Sequence, residues 1–167
     1  MEAVLNVHDR LGQRGARLDL SFTQDANRAL RELAQDGQLT KVEHVTLSGS
    51  RVTFMGLRYL RHALAVTHLD LSHTATTDAG LKHVGTLEQL EHLCLWATQV
   101  TGAGLARLAG CPKLRTLSLK ETAVDDAGLR ELRRLTSLRS LYLLDTRVTE
   151  KGVARLQKAL PNLALSW

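Results

Sequence analysis

Aromatic side chains are scarce in this sequence: Phe, Trp and Tyr together make up 4% of its 167 residues. A core must therefore be assembled from Leu, Val and Ala, and a hydrophobic content of 44% supplies enough of them for one continuous domain. Cysteine is nearly absent. Cys94 and Cys111 are the two, and they imply no disulfide framework. No apolar run approaches the roughly 18 residues that a membrane-spanning helix needs. The opening MEAVLNVHDRLGQRG lacks a basic segment followed by an apolar one, so it does not read as a secretory signal, and a cytoplasmic location is expected. Excess charge is small as well. A net +5 favours acidic partners weakly and equally serves solubility.

What the chain has in abundance is a repeat. The stretch LEHLCLWATQVTGAGLARLAGCPK, from Leu90 to Lys113, opens with Leu-x-x-Leu-x-Leu and closes with Gly-Leu-x-x-Leu. The plan recurs one unit later as LRTLSLKETAVDDAGLRELRRLTS and one unit earlier as VTHLDLSHTATTDAGLKHVGTLEQ. A period in the twenties points to a solenoid. Regular units begin at Val42, Val66, Leu90, Leu114 and Leu138. A degenerate unit precedes them, with Leu18, Leu20, Thr23, Leu30 and Leu33 in the equivalent places and an insert, QDGQ, around Asp36. A last fragment, LALSW, starts a further strand near Leu163. Residues 1–14 carry Val4, Leu5, Val7 and Leu11 at helical spacing and are expected to form a capping helix before a repeat domain over 15–167.

Each column of the repeat has a physical task. Leu69, Leu93, Leu117 and Leu141 alternate with polar residues, as do Leu71, Leu95, Leu119 and Leu143, which predicts short strands with one buried face. Ser50, Thr74, Thr98, Thr122 and Thr146 follow the strands, where a hydroxyl can bond backbone groups at the bend. Thr53, Thr77, Thr101, Asp125 and Thr149 stand at helix N-cap positions. Gly56, Gly80, Gly104, Gly128 and Gly152 come three residues later, where a side chain is expected to hold helix and sheet apart. Leu57, Leu81, Leu105, Leu129 and Val153 pair with Leu60, Val84, Leu108, Leu132 and Leu156 on one helix face.

The run Leu108-Ala109-Gly110-Cys111-Pro112-Lys113-Leu114, taken with Thr77-Asp78-Ala79-Gly80-Leu81, resembles leucine-rich repeats of the cysteine-containing class and the Val-Thr-Asp-Ala-Gly-Leu repeats of bacterial proteins. The resemblance covers about residues 15–167. It implies a right-handed α/β solenoid of about six repeats, with a parallel sheet on the concave face and helices on the convex face. It also implies a binding scaffold and a bacterial source.

No catalytic signature stands out. Gly102-Ala103-Gly104 looks like the start of a dinucleotide loop, but Gly104 is the column glycine and no third glycine follows at the required place. Cofactors are not expected. Cys111 aligns with Leu87 and Leu135 and reads as core. Arg130, Arg133 and Arg134, beside Glu131, read as a solvated convex face and as the only support for a nucleic-acid alternative.

The outward strand positions carry the information about function. The first column is Arg17, His44, His68, His92, Thr116, Ser140; the second is Asp19, Thr46, Asp70, Cys94, Ser118, Tyr142, with Trp167 as its expected continuation. The third is Ser21, Ser48, Ser72, Trp96, Lys120, Leu144, flanked by Phe22, His73, Glu121 and Asp145. Three histidines on neighbouring strands, about 5 Å apart by strand geometry, could converge on one ion, with Asp70 and Cys94 as further ligands. They also resist simultaneous protonation. Trp96 aligns with Ser48, Ser72 and Lys120, so the fold does not require an aromatic there. With Tyr142, Leu144 and Cys94 it has the composition of an interface hot spot.

These readings favour a non-enzymatic protein-interaction scaffold, with His68, Asp70, His92, Cys94, Trp96, Lys120, Tyr142 and Leu144 as the partner-binding residues. The alternatives are a metal site at His44, His68 and His92, and nucleic-acid binding. The acidic residues Glu43, Asp70, Glu91, Glu121 and Asp145 interrupt any basic stripe and argue against nucleic acid. Self-association through the C-terminal edge at Trp167 is a further expectation.

Overall fold

A computed structural model describes residues 16–167. The capping helix expected over residues 1–14 lies outside the described residues. Seven strands form one wholly parallel sheet in strict chain order: β1 (Ala16–Asp19), β2 (Val42–Thr46), β3 (His68–Asp70), β4 (His92–Cys94), β5 (Thr116–Ser118), β6 (Ser140–Tyr142) and β7 (Ala164–Ser166). Each strand returns to the next through a helical crossover: α1 (Ala26–Gln35), α2 (Phe54–Leu57), α3 (Asp78–Val84), α4 (Gly102–Leu105), α5 (Asp126–Leu132) and α6 (Glu150–Ala159). Parallel strands cannot be joined by tight hairpins, so the crossovers are obligatory and coil the chain into a solenoid.

The register repeats from strand to strand. Leu69 pairs with Leu93, Leu93 with Leu117, Leu117 with Leu141 and Leu141 with Leu165. Apart from the partly buried Leu165, these leucines and the column Leu47, Leu71, Leu95, Leu119, Leu143 are buried. They meet the helix residues Leu57, Leu81, Leu105, Leu129 and Val153 in one continuous core. Cys111 belongs to that core. Its thiol lies 3.5 Å from the Val84 carbonyl, and burial pushes its pKa up to about 11, which removes the nucleophilic thiolate.

The bends are closed as their hydroxyls suggest. Thr74, Thr98, Thr122 and Thr146 each donate, at 2.7 Å, to the carbonyl three residues back: Leu71, Leu95, Leu119 and Leu143. At the helix starts, Thr53, Thr101, Asp125 and Thr149 accept backbone N–H groups of Met55, Ala103, Gly128 and Gly152. Thr77 occupies the same place without a side-chain cap bond.

The column glycines have a different reason from the one their spacing suggested. A Cβ at Gly56, Gly104 or Gly152 would run into the side chain of Asn27, Asp78 or Asp126 on the preceding helix, and one at Gly128 would lie 2.6 Å from the Cα of Gly102. They allow helix to approach helix, not helix to approach sheet. The insert after α1 is closed by Gly37, whose φ of 69° suits the residue without a Cβ, and a short 3₁₀ turn (Gln38–Lys41) then leads into β2.

Candidate functional site

The strand register assembles the outward columns. Arg17 is paired with His44, His44 with His68, His68 with His92, His92 with Thr116, and Thr116 with Ser140. One column over, Asp19, Thr46, Asp70, Cys94, Ser118 and Tyr142 follow one another, and the next member is Ser166. Leu165 takes the inward, partly buried place on β7, so alternation turns Ser166 outward. Trp167, expected in this column, lies one residue beyond it and is half exposed.

The three imidazoles stack. Ring centroids lie 4.1 Å apart for His44–His68 and 4.3 Å for His68–His92, with planes inclined by 11° and 17°. His68 Nδ1 is held 2.9 Å from the Thr67 hydroxyl. Burial chiefly, then the charges of Arg17 and His92 against the raising influence of Glu43, holds His44 below the ordinary histidine value. Burial, followed by His44 and His92, does the same for His68. A shallow depression of about 320 Å³ runs over these rings and the neighbouring Thr46, Asp70, Cys94, Thr116 and Ser118.

The third column changes character along the solenoid. Ser48 and Ser72 bond each other through their hydroxyls at 2.9 Å, and Ser72 N donates to Asp70 Oδ1 at 2.8 Å. Asp70 is thereby engaged in shaping its own strand end. Beyond them Trp96 and Leu144, and Tyr142 in the second column beside them, are 37%, 50% and 37% exposed. Trp96 packs edge-on against His73 with centroids 4.4 Å apart, and Lys120 Nζ sits 5.3 Å from the centre of the Tyr142 ring. Burial raises the pKa of the Cys94 thiol, partly offset by a backbone hydrogen bond from Trp96.

Immediately after this column the backbone turns left-handed in every unit. Phe22, Gly49, His73, Ala97, Glu121 and Asp145 have φ between 52° and 63°. Five of the six are not glycine, so the turn is imposed by the stacked strands at a conformational cost. It sets the His73 ring against Trp96 and lays the Phe22 ring over Gly49.

No protein-family model matches the chain, and no curated protein does. Among solved structures, internalin C2 of Listeria monocytogenes superposes with a TM-score of 0.63 at 28% identity, over 80% of this chain and 54% of that one. A leucine-rich-repeat protein of Leptospira interrogans gives a TM-score of 0.64 at 21% identity, over 80% of this chain and 33% of its own. The second likeness speaks for fold alone.

The fold is a leucine-rich-repeat solenoid.

The chain spans about half the length of internalin C2 and a third of the Leptospira protein. On this solenoid, His68, Asp70, His92, Cys94, Trp96, Lys120, Tyr142 and Leu144 all occupy the concave columns to which the repeat assigns them. The convergence of three histidines on one ion does not occur. A ring nitrogen directs its lone pair within the ring plane, and nearly parallel planes 4 Å apart do not meet at a common point. Among the described residues no group of three His, Cys, Asp or Glu is arranged to hold a metal. Arg130 lies on α5, with Arg133 capping its C-terminus and Arg134 just beyond. Arg130 and Arg133 rim a cleft of about 460 Å³ between α5 and α6, on the side away from the histidines.

Sequence reasoning missed the contact of His73 with Trp96 and the left-handed column. Gly49, standing in register with His73, was the signal for that column. It also missed a set of bonds between repeats. Asp78 accepts the backbone N–H and hydroxyl of Thr101 at 2.8 and 2.6 Å, and Asp126 treats Thr149 likewise at 2.8 and 2.7 Å. Asn27 accepts from Thr53 N at 2.9 Å and donates to its hydroxyl at 3.0 Å.

Proposed function

We propose that this solenoid is a non-enzymatic protein-interaction module that holds its partner on the concave face, centred on Trp96, Tyr142 and Leu144. The observation that carries the reading is Trp96. It stands where the fold accepts Ser48, Ser72 or Lys120, is exposed at 37%, and is held edge-on by His73. A large, partly immobilised aromatic on an open surface contributes contact area with little further ordering cost on binding. Leucine-rich-repeat neighbours support a scaffold role in general. His68, His92, Asp70 and Cys94 form the floor beside this centre, and Lys120 contributes the cation next to Tyr142.

A displayed-peptide selection against the purified chain, followed by calorimetry of the winners, tests the reading. Binders are expected to lose about 2 kcal/mol or more of affinity on Trp96→Ala, while the thermal midpoint moves less than for truncation of an inward leucine. Binders indifferent to Trp96→Ala would place the interaction on another face.

A further inference from the structure

The repeat does not require histidine in this column, since Thr116 and Ser140 fill the same position on the next two strands. Nor does its geometry converge on a metal. Its distinctive property is contact between rings: centroids 4.1 and 4.3 Å apart, in near-parallel planes. Neutral imidazoles stack at that distance. Imidazolium ions at that distance repel, because each proton adds a full charge directly over the neighbouring ring. The surrounding charges come from every adjoining strand. Arg17 on β1 stands at one end of the column, and Glu43, Asp70 and Glu91 lie beside it on or next to β2, β3 and β4. Cys94 shares the depression, and Arg115, before β5, is 3.6 Å from Glu91 and draws on that carboxylate.

We propose that the His44–His68–His92 column is a pH-responsive element of the concave face, its rings stacked in neutral solution and driven apart by mutual repulsion on acidification. The rings are the floor of the 320 Å³ depression, so their separation reshapes the surface next to Trp96 while changing its charge. Burial and neighbouring positive charge act in the same direction on His44 and His68, favouring the neutral ring in the folded chain. With folded-state values below the ordinary 6.5, the stabilising contribution is complete above that pH. It is lost as pH falls through the folded values. The element needs no partner, and it stands or falls separately from the binding role proposed above.

The test is proton NMR of the full chain, following the His44 and His68 rings from about pH 8 to about pH 4. Inter-ring nuclear Overhauser contacts are expected at the neutral end and absent at the acidic end, with both midpoints below 6.5. His92→Phe keeps a flat ring over His68 but removes its charge. It should raise the His68 midpoint by about 0.7 of a pH unit, the equivalent of water-screened repulsion between unit charges 4 Å apart. If Phe disturbs the face, His92→Thr copies the residue type of the next strand and should shift His68 the same way. Inter-ring contacts that persist through the titration, or a His68 midpoint indifferent to both substitutions, would overturn the proposal.

Discussion

The two sides of this solenoid keep different time. On the strand side every unit is a copy of its neighbour, because each backbone ladder fixes residue i against residue i+24 from β2 onward. On the helix side the units alternate. Asn27, Asp78 and Asp126 tie their helices to Thr53, Thr101 and Thr149, but Phe54 and Gly102 stand where the next such acceptors would be. The helices follow suit. α3 and α5, which begin with Asp78 and Asp126, run for 7 residues each. α2 and α4, which begin with Phe54 and Gly102, last 4 residues and continue as 3₁₀ turns. A carboxylate in the first turn complements the helix dipole, and its absence accords with the early switch. A sheet enforces identity between repeats; a row of helices tolerates two kinds of neighbour.

Substitutions can break that contrast in order of expected effect. Leu95→Ala removes a fully buried side chain from the strict side and should cost about 2–5 kcal/mol, read by denaturant unfolding. Gly102→Ala probes the alternating side. Its new Cβ would lie 2.6 Å from Gly128 Cα and 2.8 Å from Gly128 N, with backbone unable to yield, and a loss of about 1–3 kcal/mol is expected. Unchanged stability would show that the α4–α5 contact can open freely. Asp78→Ala removes the Thr101 bonds and should cost about 1 kcal/mol. The reverse change, Phe54→Asp, offers Thr77 the acceptor it lacks and should add about 0.5 kcal/mol. If Asp78→Ala and Phe54→Asp move the midpoint in the same direction, the alternation has no energetic content.

The two faces were unequally legible. The inward leucines announced themselves by period, because burial admits few residue types and duplication repeated them. The outward columns were legible as lists, since Trp96 differs from its aligned neighbours and three successive strands carry histidine in one column. Their interactions were not. Whether His44, His68 and His92 point their nitrogens at one ion or stack face to face is a matter of side-chain rotation, which spacing along the chain does not specify. Trp167 shows the same limit at the sheet edge, where one residue of register decides which side chain joins a column. The glycines were assigned to the right column for the wrong contact, because periodicity marks a tight place without saying what is tight against it.

The sequence by itself determined the solenoid, the seven strands of the described residues, its leucine core and the membership of the concave columns as far as β6, all consequences of a hydrophobic period that leaves one arrangement able to bury its apolar face. Tertiary structure alone decided the ring stack, the left-handed rim that sets His73 against Trp96, and the pairing of alternate helices. Those depend on how adjacent repeats approach across the stack, and that distance is set by packing between units.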